Sequence, residues 1–334
     1  MADFSAIVGT SPAIRQVTDL MERVVQSKDV SVLIGGETGT GKEIIARAIH
    51  DNGSTGNELF VEVNCAAIPE HLLESELFGY EKGAYTGAER TKPGLFELAN
   101  GGTLLLDEIG YMSMGLQAKL LKAIEDKTFR RLGGEKEIRV RMRIIASTNV
   151  DLETAMRESK FREDLFYRLN EIQFELPPLR ERGEDVVLLA EHFIEEFAQQ
   201  YALGKRNLSE TSKQLLREYH WPGNVRELRN AIKRAMIMYD AQTLTPDMIP
   251  VSVRSTNSLA KQPWNSRQLV IDIPEEGVTF DAVEKKVILH VLKMTQWNKN
   301  KTARMLQISR PRLLRKIEKY DLPSTKNHSE EENI

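Results

Sequence analysis

The segment from residue 36 to residue 43 constrains the fold most, because a glycine-rich turn there separates a strand pattern from a helix pattern. It reads, in order, Gly36, Glu37, Thr38, Gly39, Thr40, Gly41, Lys42 and Glu43. An apolar run at residues 30–34 precedes it, and apolar residues at helical spacing follow it. Glycines let backbone N–H groups point at phosphates, the helix start adds partial positive charge, and Lys42 is expected to reach the outer phosphates. The flanking patterns favour phosphate binding over a ligand-free turn, so the chain is expected to bind a nucleotide.

Glu43 departs from the usual pattern of such loops. Most of them place Ser or Thr at this position, where the hydroxyl contacts Mg²⁺. The Glu43 carboxylate either holds the ion through water or leaves it to residues elsewhere in the site.

Composition indicates a globular protein of more than one domain. The 334 residues exceed a typical single core, with 41% hydrophobic and 28% charged residues. No apolar stretch is long enough to span a bilayer, and no secretion signal is visible at the N-terminus. Cys65 is the only cysteine, which excludes internal disulfides and predicts a reducing, cytoplasmic location. A small buried residue is favoured over a reactive thiol at this position.

Charge is unevenly distributed along the chain. The net charge is −3, but residues 285–320 contain eleven Lys or Arg and a single acid, Glu318, a local charge of +10. The remainder therefore carries −13. This asymmetry predicts a nucleic-acid-binding end attached to an otherwise acidic protein.

Alternating strand and helix patterns predict a parallel α/β sheet covered by helices in residues 1–176. Strands are expected at residues 30–34, 60–63, 103–106, 143–147 and 172–176, and helices at 43–50, 70–78 and 116–126. Pro177 and Pro178 end this region, because proline lacks an N–H. Residues 177–250 are expected to form a small all-α domain, interrupted at residues 221–224. The rest is predicted as a linker at 251–277 with an extended piece at 269–273, a helical unit at 278–322 and a disordered tail at 323–334.

Two acids, Asp107 and Glu108, directly follow the apolar strand at residues 103–106. The carboxyl ends of strands in a parallel sheet face the ligand crevice, so Asp107 is expected near the metal ion. Glu108 is expected to polarise a water for attack on the terminal phosphate. Adjacent carboxylates also cap helices, but the phosphate loop upstream favours the catalytic role.

The basic end has the pattern of a helix-turn-helix. Helices are expected at residues 280–292, 299–306 and 310–317, with Ser309 as the N-cap of the last one and Pro311 in its first turn. The apolar residues expected to form its core are Ala303, Leu306, Ile308, Leu313, Leu314 and Ile317. The second helix of such a pair enters the major groove of double-stranded DNA.

The basic side chains of this end divide into two groups. The candidates for groove contacts are Arg310, Arg312, Arg315 and Lys316, and those for phosphate contacts are Lys299, Lys301 and Arg304. A solvated basic surface is the alternative, but the core pattern and the local charge favour DNA binding. The helix at residues 280–292 is expected to support pairing of two chains on a two-fold symmetric site.

Two further motifs complete a recognisable set. They are Gly83-Ala84-Tyr85-Thr86-Gly87-Ala88 and Trp221-Pro222-Gly223-Asn224-Val225-Arg226-Glu227-Leu228. With the phosphate loop and the two acids, they make the chain resemble the bacterial enhancer-binding proteins. These are AAA+ ATPases that activate RNA polymerase carrying the alternative sigma factor sigma-54. The resemblance covers roughly residues 7–320, with several motifs in family order, and the C-terminal end resembles Fis-like factors.

The resemblance implies roles for residues around the phosphate loop. Asn149 resembles the family's first sensor, which contacts the terminal phosphate or the attacking water, although a polar strand cap is the alternative. Asn64 matches the residue that restrains the catalytic Glu108 until ligand signals pass, which an amide can do without shifting a full charge. Arg226, in a helical lid at residues 177–250, matches the second sensor of nucleotide state.

Arg162 and Arg168 resemble the family's arginine fingers. In the family they reach the nucleotide of the neighbouring subunit, where a guanidinium stabilises charge on the transferred phosphoryl group. Surface salt bridging is the alternative for each arginine. Fingers that act between subunits imply a ring, hexameric or heptameric, and poor ATP hydrolysis by a lone subunit.

The motif at residues 83–88 is implied to contact a partner. Small residues around Tyr85 let the backbone bend and leave the ring prominent. In the family this motif tips a loop that touches sigma-54 as ATP is turned over, and most members carry Phe in place of Tyr85. From the residues alone, a surface turn is the favoured alternative. Residues 129–135 are expected to form another loop on the same face, contacting either the partner or a neighbouring subunit.

The predicted function is a transcription activator that binds enhancer DNA, assembles into a ring and uses ATP and Mg²⁺ to remodel sigma-54 polymerase into the open complex. Alternatives are a DNA-binding regulator that uses ATP for assembly only, an AAA+ remodeller of a different protein, and a nucleotide-sensing repressor. The family's ATPase region normally begins at the position of residues 7–9. Control is therefore expected from a separate inhibitory protein, as in the short phage-shock-type activators, or from an N-terminal regulatory domain removed from this chain.

Overall fold

The computed structural model describes residues 3–27, 30–53, 55–250, 278–295, 297–320 and 322. These residues belong to two compact units, the first containing those up to residue 250 and the second those from residue 278. The predicted linker at 251–277, its extended piece at 269–273 and the predicted tail at 323–334 lie outside the described residues.

The first unit is built on a five-stranded parallel sheet. In chain order the strands of the whole unit are β1 (Val32–Gly35), β2 (Phe60–Asn64), β3 (Gly79–Tyr80), β4 (Lys92–Pro93), β5 (Thr103–Asp107), β6 (Thr128–Arg130), β7 (Glu137–Arg139), β8 (Arg143–Thr148), β9 (Ile172–Glu175), β10 (Asn207–Leu208) and β11 (Thr243–Leu244). Five of them pair in parallel, in the order β2-β5-β8-β1-β9. The predicted parallel sheet is confirmed. Strand β1 begins two residues later than expected, and the Ser31 N–H just before it donates to Glu171 Oε2 at 2.8 Å.

Helices cover both faces of this sheet and form the lid. They are α1 (Pro12–Val24), α2 (Lys42–Asp51), α3 (Glu70–Phe78), α4 (Leu95–Leu98), α5 (Met114–Asp126), α6 (Leu152–Arg157), α7 (Glu163–Leu169), α8 (Asp185–Gln200), α9 (Glu210–Glu218) and α10 (Asn224–Met238). Several begin at a side-chain cap: Ser11 accepts from the Ile14 N–H before α1, and Ser113 accepts from the Leu116 N–H before α5.

Strand β5 shows how the sheet divides the core. Successive side chains of a strand point to opposite faces. Leu104 and Leu106 accordingly pack in the cluster formed with α3, α5 and α7, whereas Leu105 packs with α1 and α2. The result is a three-layer α/β/α arrangement in which the carboxyl ends of all five strands lie at one edge. Cys65 is buried just beyond β2, and burial raises the pKa of its thiol to about 12.

The lid, predicted as all-α, consists of α8, α9 and α10 with one small addition. Its core includes the fully buried Trp221, whose Nε1–H donates to Leu216 O at 2.8 Å. Strands β10 and β11 pair in parallel beside these helices. Each has two residues, too few for the alternating pattern by which a strand is recognised in sequence.

Two antiparallel hairpins interrupt the α/β alternation. Strands β3 and β4 pair through Gly79 and Tyr80, and strands β6 and β7 pair through Thr128 to Arg130. The first hairpin carries the motif at residues 83–88, and the second carries the segment at residues 131–136.

The second unit contains α11 (Phe280–Met294), α12 (Lys299–Met305) and α13 (Arg310–Lys319). Its buried core includes Ile288, Leu292, Ala303, Leu313 and Ile317. The prediction that Leu314 belongs to this core is wrong, since its side chain is 39% exposed. The inward face of α13 follows helical spacing through Leu313, Ile317 and Tyr320, which turns Leu314 outward.

Candidate functional site

The phosphate loop joins β1 to α2 at the carboxyl edge of the sheet. Gly36, Gly39 and Gly41 all have positive φ angles, of 141°, 82° and 107°. Gly39 also lies against the lid, where an added Cβ would fall 2.4 Å from Gly223 O. Both the backbone conformation and the close approach of the lid therefore require glycine at position 39.

Lys42 opens helix α2 with its side chain almost fully buried. Its ammonium group donates to Gly36 O at 2.8 Å and to Glu37 O at 3.4 Å. It also lies 3.7 Å from Glu108 Oε1. The charged group thus lies between the carbonyls of the loop and the predicted catalytic acid.

Asp107 ends strand β5 and accepts two short hydrogen bonds. Asn64 Nδ2 donates to its Oδ2 at 2.8 Å, and Ser147 Oγ donates to its Oδ1 at 2.6 Å. Asn64 and Asp107 are register partners across β2 and β5. The residues expected to hold the metal and to act as the switch are therefore brought together.

The expected contact between Asn64 and Glu108 is not the one made in this structure. The Asn64 amide nitrogen donates to Asp107, and its Oδ1 accepts from the N–H groups of Ala66 and Ala67, both at 3.0 Å. The physical reason is backbone geometry. Strand register places Asn64 opposite Asp107, and Glu108 leaves the strand in a left-handed conformation with φ of 55°.

Glu108 and Asn149 lie together beside the phosphate loop. Glu108 Oε2 accepts from the Asn149 N–H at 3.0 Å. The Asn149 side-chain amide donates to Thr38 Oγ1 at 2.8 Å. The ends of β5 and β8 are thereby linked to the loop that follows β1.

The lid contacts the phosphate loop through Glu37. Arg180 donates to both carboxylate oxygens of Glu37, at 3.0 and 2.6 Å, and Asn224 Nδ2 donates to one of them at 3.0 Å. These hydrogen bonds, from Arg180 first and then Asn224, lower the pKa of Glu37 to about 2.

Backbone contacts reinforce the junction between lid and loop. The Arg226 N–H donates to Gly39 O at 3.3 Å, and Asn224 Nδ2 donates to Thr38 O at 3.1 Å. The buried Arg182 donates to Thr40 O at 2.9 Å, and burial lowers its pKa to about 10. The predicted Arg226 thus lies against the loop through its main chain.

Sequence reasoning missed three of these lid residues: Arg180, Arg182 and Asn224. Asn224 was visible only as part of a motif, and the two arginines follow Pro177 and Pro178 in an unremarkable polar stretch. Their partners in the loop lie more than 140 residues earlier in the chain, so no local pattern points to them.

Glu43 lies on the exposed side of the first turn of α2. Its side chain is 58% exposed, and Arg47 Nη2 lies 3.7 Å from Glu43 Oε1. Arg47 also contacts Glu62 at 3.5 Å and stacks over the ring of Phe60. Glu43 is therefore part of a surface charge cluster next to the edge strand β2.

Arg162 and Arg168 lie on the segment of α7. Arg162 donates two hydrogen bonds to Asp164, at 3.0 and 2.6 Å, and Arg168 is paired with Glu171. Within the described residues, neither guanidinium contacts the phosphate loop of its own chain. Both are partly exposed, and Arg162 lines a surface depression with Met114 and the exposed Tyr167.

The motif at residues 83–88 forms a tight turn at the tip of the β3–β4 hairpin. The Gly83 N–H donates to Ala88 O at 2.9 Å, and the Ala88 N–H donates to Tyr85 O at 3.0 Å. Tyr85 is 46% exposed, and its ring packs edge-on against Tyr80 with centroids 5.1 Å apart. The aromatic group is therefore displayed on the surface with a supporting ring beneath it.

The β6–β7 hairpin packs against the base of this turn. Leu132 exchanges backbone hydrogen bonds with Gly79 and Glu81, both at 3.0 Å. Arg131 donates to Glu97 at 2.8 and 2.6 Å and to Glu81 at 2.9 Å. The two loops predicted to share one face are in direct contact within the chain.

The second unit places its basic residues unevenly. Lys316, expected to contact the groove, instead donates to Glu284 on α11 at 2.5 Å. Tyr320 OH donates to the other oxygen of Glu284, also at 2.5 Å. Lys316 borders the buried face of α13 next to Ile317, which turns it toward α11, and its contact with the DNA groove stays a prediction. Of the other residues predicted to contact DNA, Lys301, Arg304, Arg310, Arg312 and Arg315 are exposed, and Lys299 is partly exposed.

Three family models match the chain in the order of these parts. The model described as the sigma-54 interaction domain matches residues 7–175. The AAA+ ATPase lid domain matches residues 180–265, and the Fis family of bacterial regulatory proteins matches residues 279–320. The chain belongs to the sigma-54-dependent regulators.

Curated relatives of this regulator cover nearly its whole length. It is 45% identical over 320 residues to the regulatory protein AtoC of Escherichia coli, a match that spans 95% of this chain and 68% of AtoC. It is 43% identical to a Nif-specific regulatory protein of Enterobacter agglomerans, spanning 96% of this chain and 60% of that protein. It is also 42% identical to ZraR of Escherichia coli, with 93% of this chain matched.

Solved structures of NtrX from Brucella abortus have the same architecture as this regulator. The complex with ADP gives a TM-score of 0.71 at 33% identity, and the complex with ATP gives 0.70 at 35% identity. Each match covers 94% of this chain, and 68% and 69% of the NtrX chains. The predicted AAA+ ATPase fold, helical lid and Fis-type helix-turn-helix are confirmed. The borders predicted at residues 176, 250 and 277 stay predictions.

No helix in the described parts of this regulator combines the length and apolarity needed to cross a bilayer.

Proposed function

We propose that this regulator is an ATP-driven transcription activator that forms a ring, binds enhancer DNA and remodels sigma-54 RNA polymerase into the open complex. One observation carries the proposal. Lys42, Glu108 and Asn149 meet at the carboxyl edge of a parallel sheet, beneath a lid that contacts the same phosphate loop. A catalytic site for a nucleoside triphosphate needs this combination of cation, acid and amide at one place.

Each side chain has a role that its contacts support. The Lys42 ammonium donates to loop carbonyls, and phosphate oxygens can replace those acceptors when ATP enters. Glu108 is the general base for the attacking water, and Asn149, held between Glu108 and Thr38, contacts the terminal phosphate. Asn64, hydrogen-bonded to Asp107, acts on Glu108 through the neighbouring acid.

Mg²⁺ fits the donor groups at this edge. Asp107 presents carboxylate oxygens, which this cation prefers, and each keeps a free lone pair for a metal-bound water after accepting from Asn64 or Ser147. Glu43 contacts Arg47 on an exposed surface, which supports the alternative in which the ion is held by residues elsewhere. When bound, the ion neutralises charge on the outer phosphates.

Arg162 and Arg168 are proposed to act on the nucleotide of a neighbouring subunit. Among the described residues neither guanidinium contacts its own phosphate loop, both side chains are partly exposed, and Arg162 lines a surface depression with Met114 and Tyr167. Their carboxylate partners, Asp164 and Glu171, hold the guanidinium groups in place until a phosphate competes for them. This action between subunits is proposed to take place in a closed ring, hexameric or heptameric.

The turn at residues 83–88 is proposed to contact sigma-54. Tyr85 is displayed at the tip, and the β6–β7 hairpin supports the base through Arg131 and Leu132. ATP turnover at the sheet edge changes the position of this pair of hairpins, which couples nucleotide state to partner contact.

The second unit is proposed to bind enhancer DNA as part of a dimer. The exposed residues Arg310, Arg312 and Arg315 project from α13 toward the groove, and Lys299, Lys301 and Arg304 lie on α12 for phosphate contacts. A cytoplasmic location and a separate inhibitory protein are proposed as well.

Promoter opening in a purified system tests the proposal. With sigma-54 polymerase, enhancer DNA and ATP, the unaltered chain should yield transcripts, and Glu108→Gln should lower ATP turnover about 10²- to 10⁴-fold and abolish most output. Glu125→Gln, at an exposed position of α5, is the matched control and should behave like the unaltered chain. Equal output from Glu108→Gln, or full promoter melting with a non-hydrolysable ATP analogue, would overturn the motor mechanism.

A further inference from the structure

Gln117 is a fully buried polar residue in the middle of the apolar face of α5. Its Nε2 donates to Met112 O at 2.8 Å and to Lys160 O at 3.0 Å. Its Oε1 accepts from the Arg162 N–H at 2.8 Å. Both N–H donors and the carbonyl oxygen are therefore used, and all three partners are backbone groups.

One end of this arrangement lies directly after the predicted catalytic acid. Glu108 begins the 3-10 turn Ile109–Tyr111, and Met112 ends it. The Met112 N–H donates to Ile109 O at 3.1 Å, which closes the turn. A displacement of Glu108 in its left-handed conformation therefore moves a segment whose far end is bonded to Gln117.

The other end lies at a proposed arginine finger. Arg162 is the residue that precedes α7, and its carbonyl accepts from the Phe166 N–H at 3.0 Å. Lys160 and Arg162 belong to the short connection between α6 and α7, outside any strand. Gln117 fixes two backbone groups of this connection and so sets where the Arg162 side chain begins.

A packing role alone does not require a polar side chain at this position. Leu116 and Leu120 occupy neighbouring buried positions of the same helix, and an apolar residue there avoids the cost of burying an amide. The amide is retained where two separate backbone segments need donors and an acceptor at once. Those two segments are the ones that carry Glu108 and Arg162.

We propose that Gln117 is a positioning residue that couples the active site of its own subunit to the active site of the neighbouring subunit. It links the Glu108 turn of a subunit to the arginine finger that the same subunit lends to its neighbour. The inference rests on the proposed action of Arg162 between subunits. Through this link, a change at one catalytic acid shifts the finger in the adjacent site, so hydrolysis around the ring is coordinated.

Rings assembled from two different variant subunits isolate the effect of Gln117 on the arginine finger. A Glu108→Gln subunit has a disabled site but intact fingers, and an Arg162→Ala subunit has an intact site but lacks the Arg162 finger. Neither should turn over ATP alone, whereas a mixture should regain activity. The test replaces the first subunit with a Glu108→Gln, Gln117→Met double variant, whose only contribution to turnover is its finger.

The double variant should support about 10- to 100-fold lower kcat in the mixture, with an unchanged KM for ATP, because a displaced finger affects the transition state. Gln214→Met in the same Glu108→Gln background is the control, since Gln214 is exposed on α9 and its side-chain amide donates to Glu218 on the same helix. The mixture that contains this control variant should have the same kcat as the first mixture. The isosteric Gln117→Glu, which keeps an acceptor for the Arg162 N–H but loses the donors to Met112 and Lys160, is the second test variant and should also lower kcat.

The outcomes distinguish the positioning role of Gln117 from the action of Arg162 between subunits. Suppose that the mixture with the Glu108→Gln subunit regains activity. If either Gln117 variant then leaves kcat unchanged, the positioning role is overturned and the ring mechanism stays intact. No regained activity in the first mixture overturns the action of Arg162 between subunits, and the inference with it. Failure of both Gln117 variants to fold, seen as a lost thermal transition, would assign the side chain to structure alone.

Discussion

Replacing Asn224 with Ala tests how much one buried side chain contributes to holding the lid on the phosphate loop. Asn224 is fully buried at the start of α10, with φ of 50°. Its Oδ1 accepts from the buried Leu179 N–H at 2.8 Å, and its Nδ2 donates to Glu37 and to Thr38 O at 3.0 and 3.1 Å.

The loss of folding free energy caused by Asn224→Ala is the sum of the contributions of these contacts. Leaving the Leu179 N–H unsatisfied costs about 1–3 kcal/mol, and losing the bond to Thr38 O costs about 1 kcal/mol. The bond to Glu37 adds little, because Arg180 still holds that exposed carboxylate. Alanine in a left-handed conformation adds about 1 kcal/mol. The free energy of unfolding should therefore fall by about 3–5 kcal/mol, and the thermal midpoint by on the order of 10 °C.

Thermal unfolding with ATP titration measures the effect. Asn224→Gly removes the same hydrogen bonds, but glycine adopts the left-handed conformation without strain. Its free energy of unfolding should therefore be about 1 kcal/mol higher than that of Asn224→Ala. Asn224→Asp keeps the acceptor for Leu179 and should retain most of the stability, while a carboxylate beside Glu37 weakens ATP binding. A loss below about 1 kcal/mol for Asn224→Ala would refute the reasoning.

Two further predictions concern Glu37 and the DNA unit. Since the pKa of Glu37 is lowered from 4.5 to about 2 in the folded chain, its contribution to stability is present above pH 4.5 and is lost as the pH falls toward 2. Glu37→Gln should flatten the pH dependence of the thermal midpoint in that window, and an unchanged slope would contradict the pairing with Arg180. In DNA-binding titrations, Arg315→Ala should weaken affinity about tenfold or more. Lys316→Ala should change it less than about threefold, because Lys316 pairs with Glu284; equal losses would place both side chains at the DNA.

Much of the fold and part of the site could be read from local sequence. The strands of the sheet, the phosphate loop and the helix-turn-helix each depend on residues within about one element length, so glycine placement, periodicity and capping identify them. Asp107 and Glu108 follow the same logic, because parallel strands bring their carboxyl ends to one edge. Arg226 needed the family resemblance in addition, since a lone arginine in a helix has no pattern of its own.

Tertiary structure decided which side chains actually meet. Register turned Asn64 toward Asp107, the packing of α11 drew Lys316 into an ion pair with Glu284, and the docked lid brought Asn224 to Glu37. Gln117 reads in sequence as one polar residue in an amphipathic helix, yet its three partners lie on segments before and after it. Periodicity reports the face on which a residue lies. The partner it meets there depends on register, rotamer and long-range docking, which only the folded chain determines.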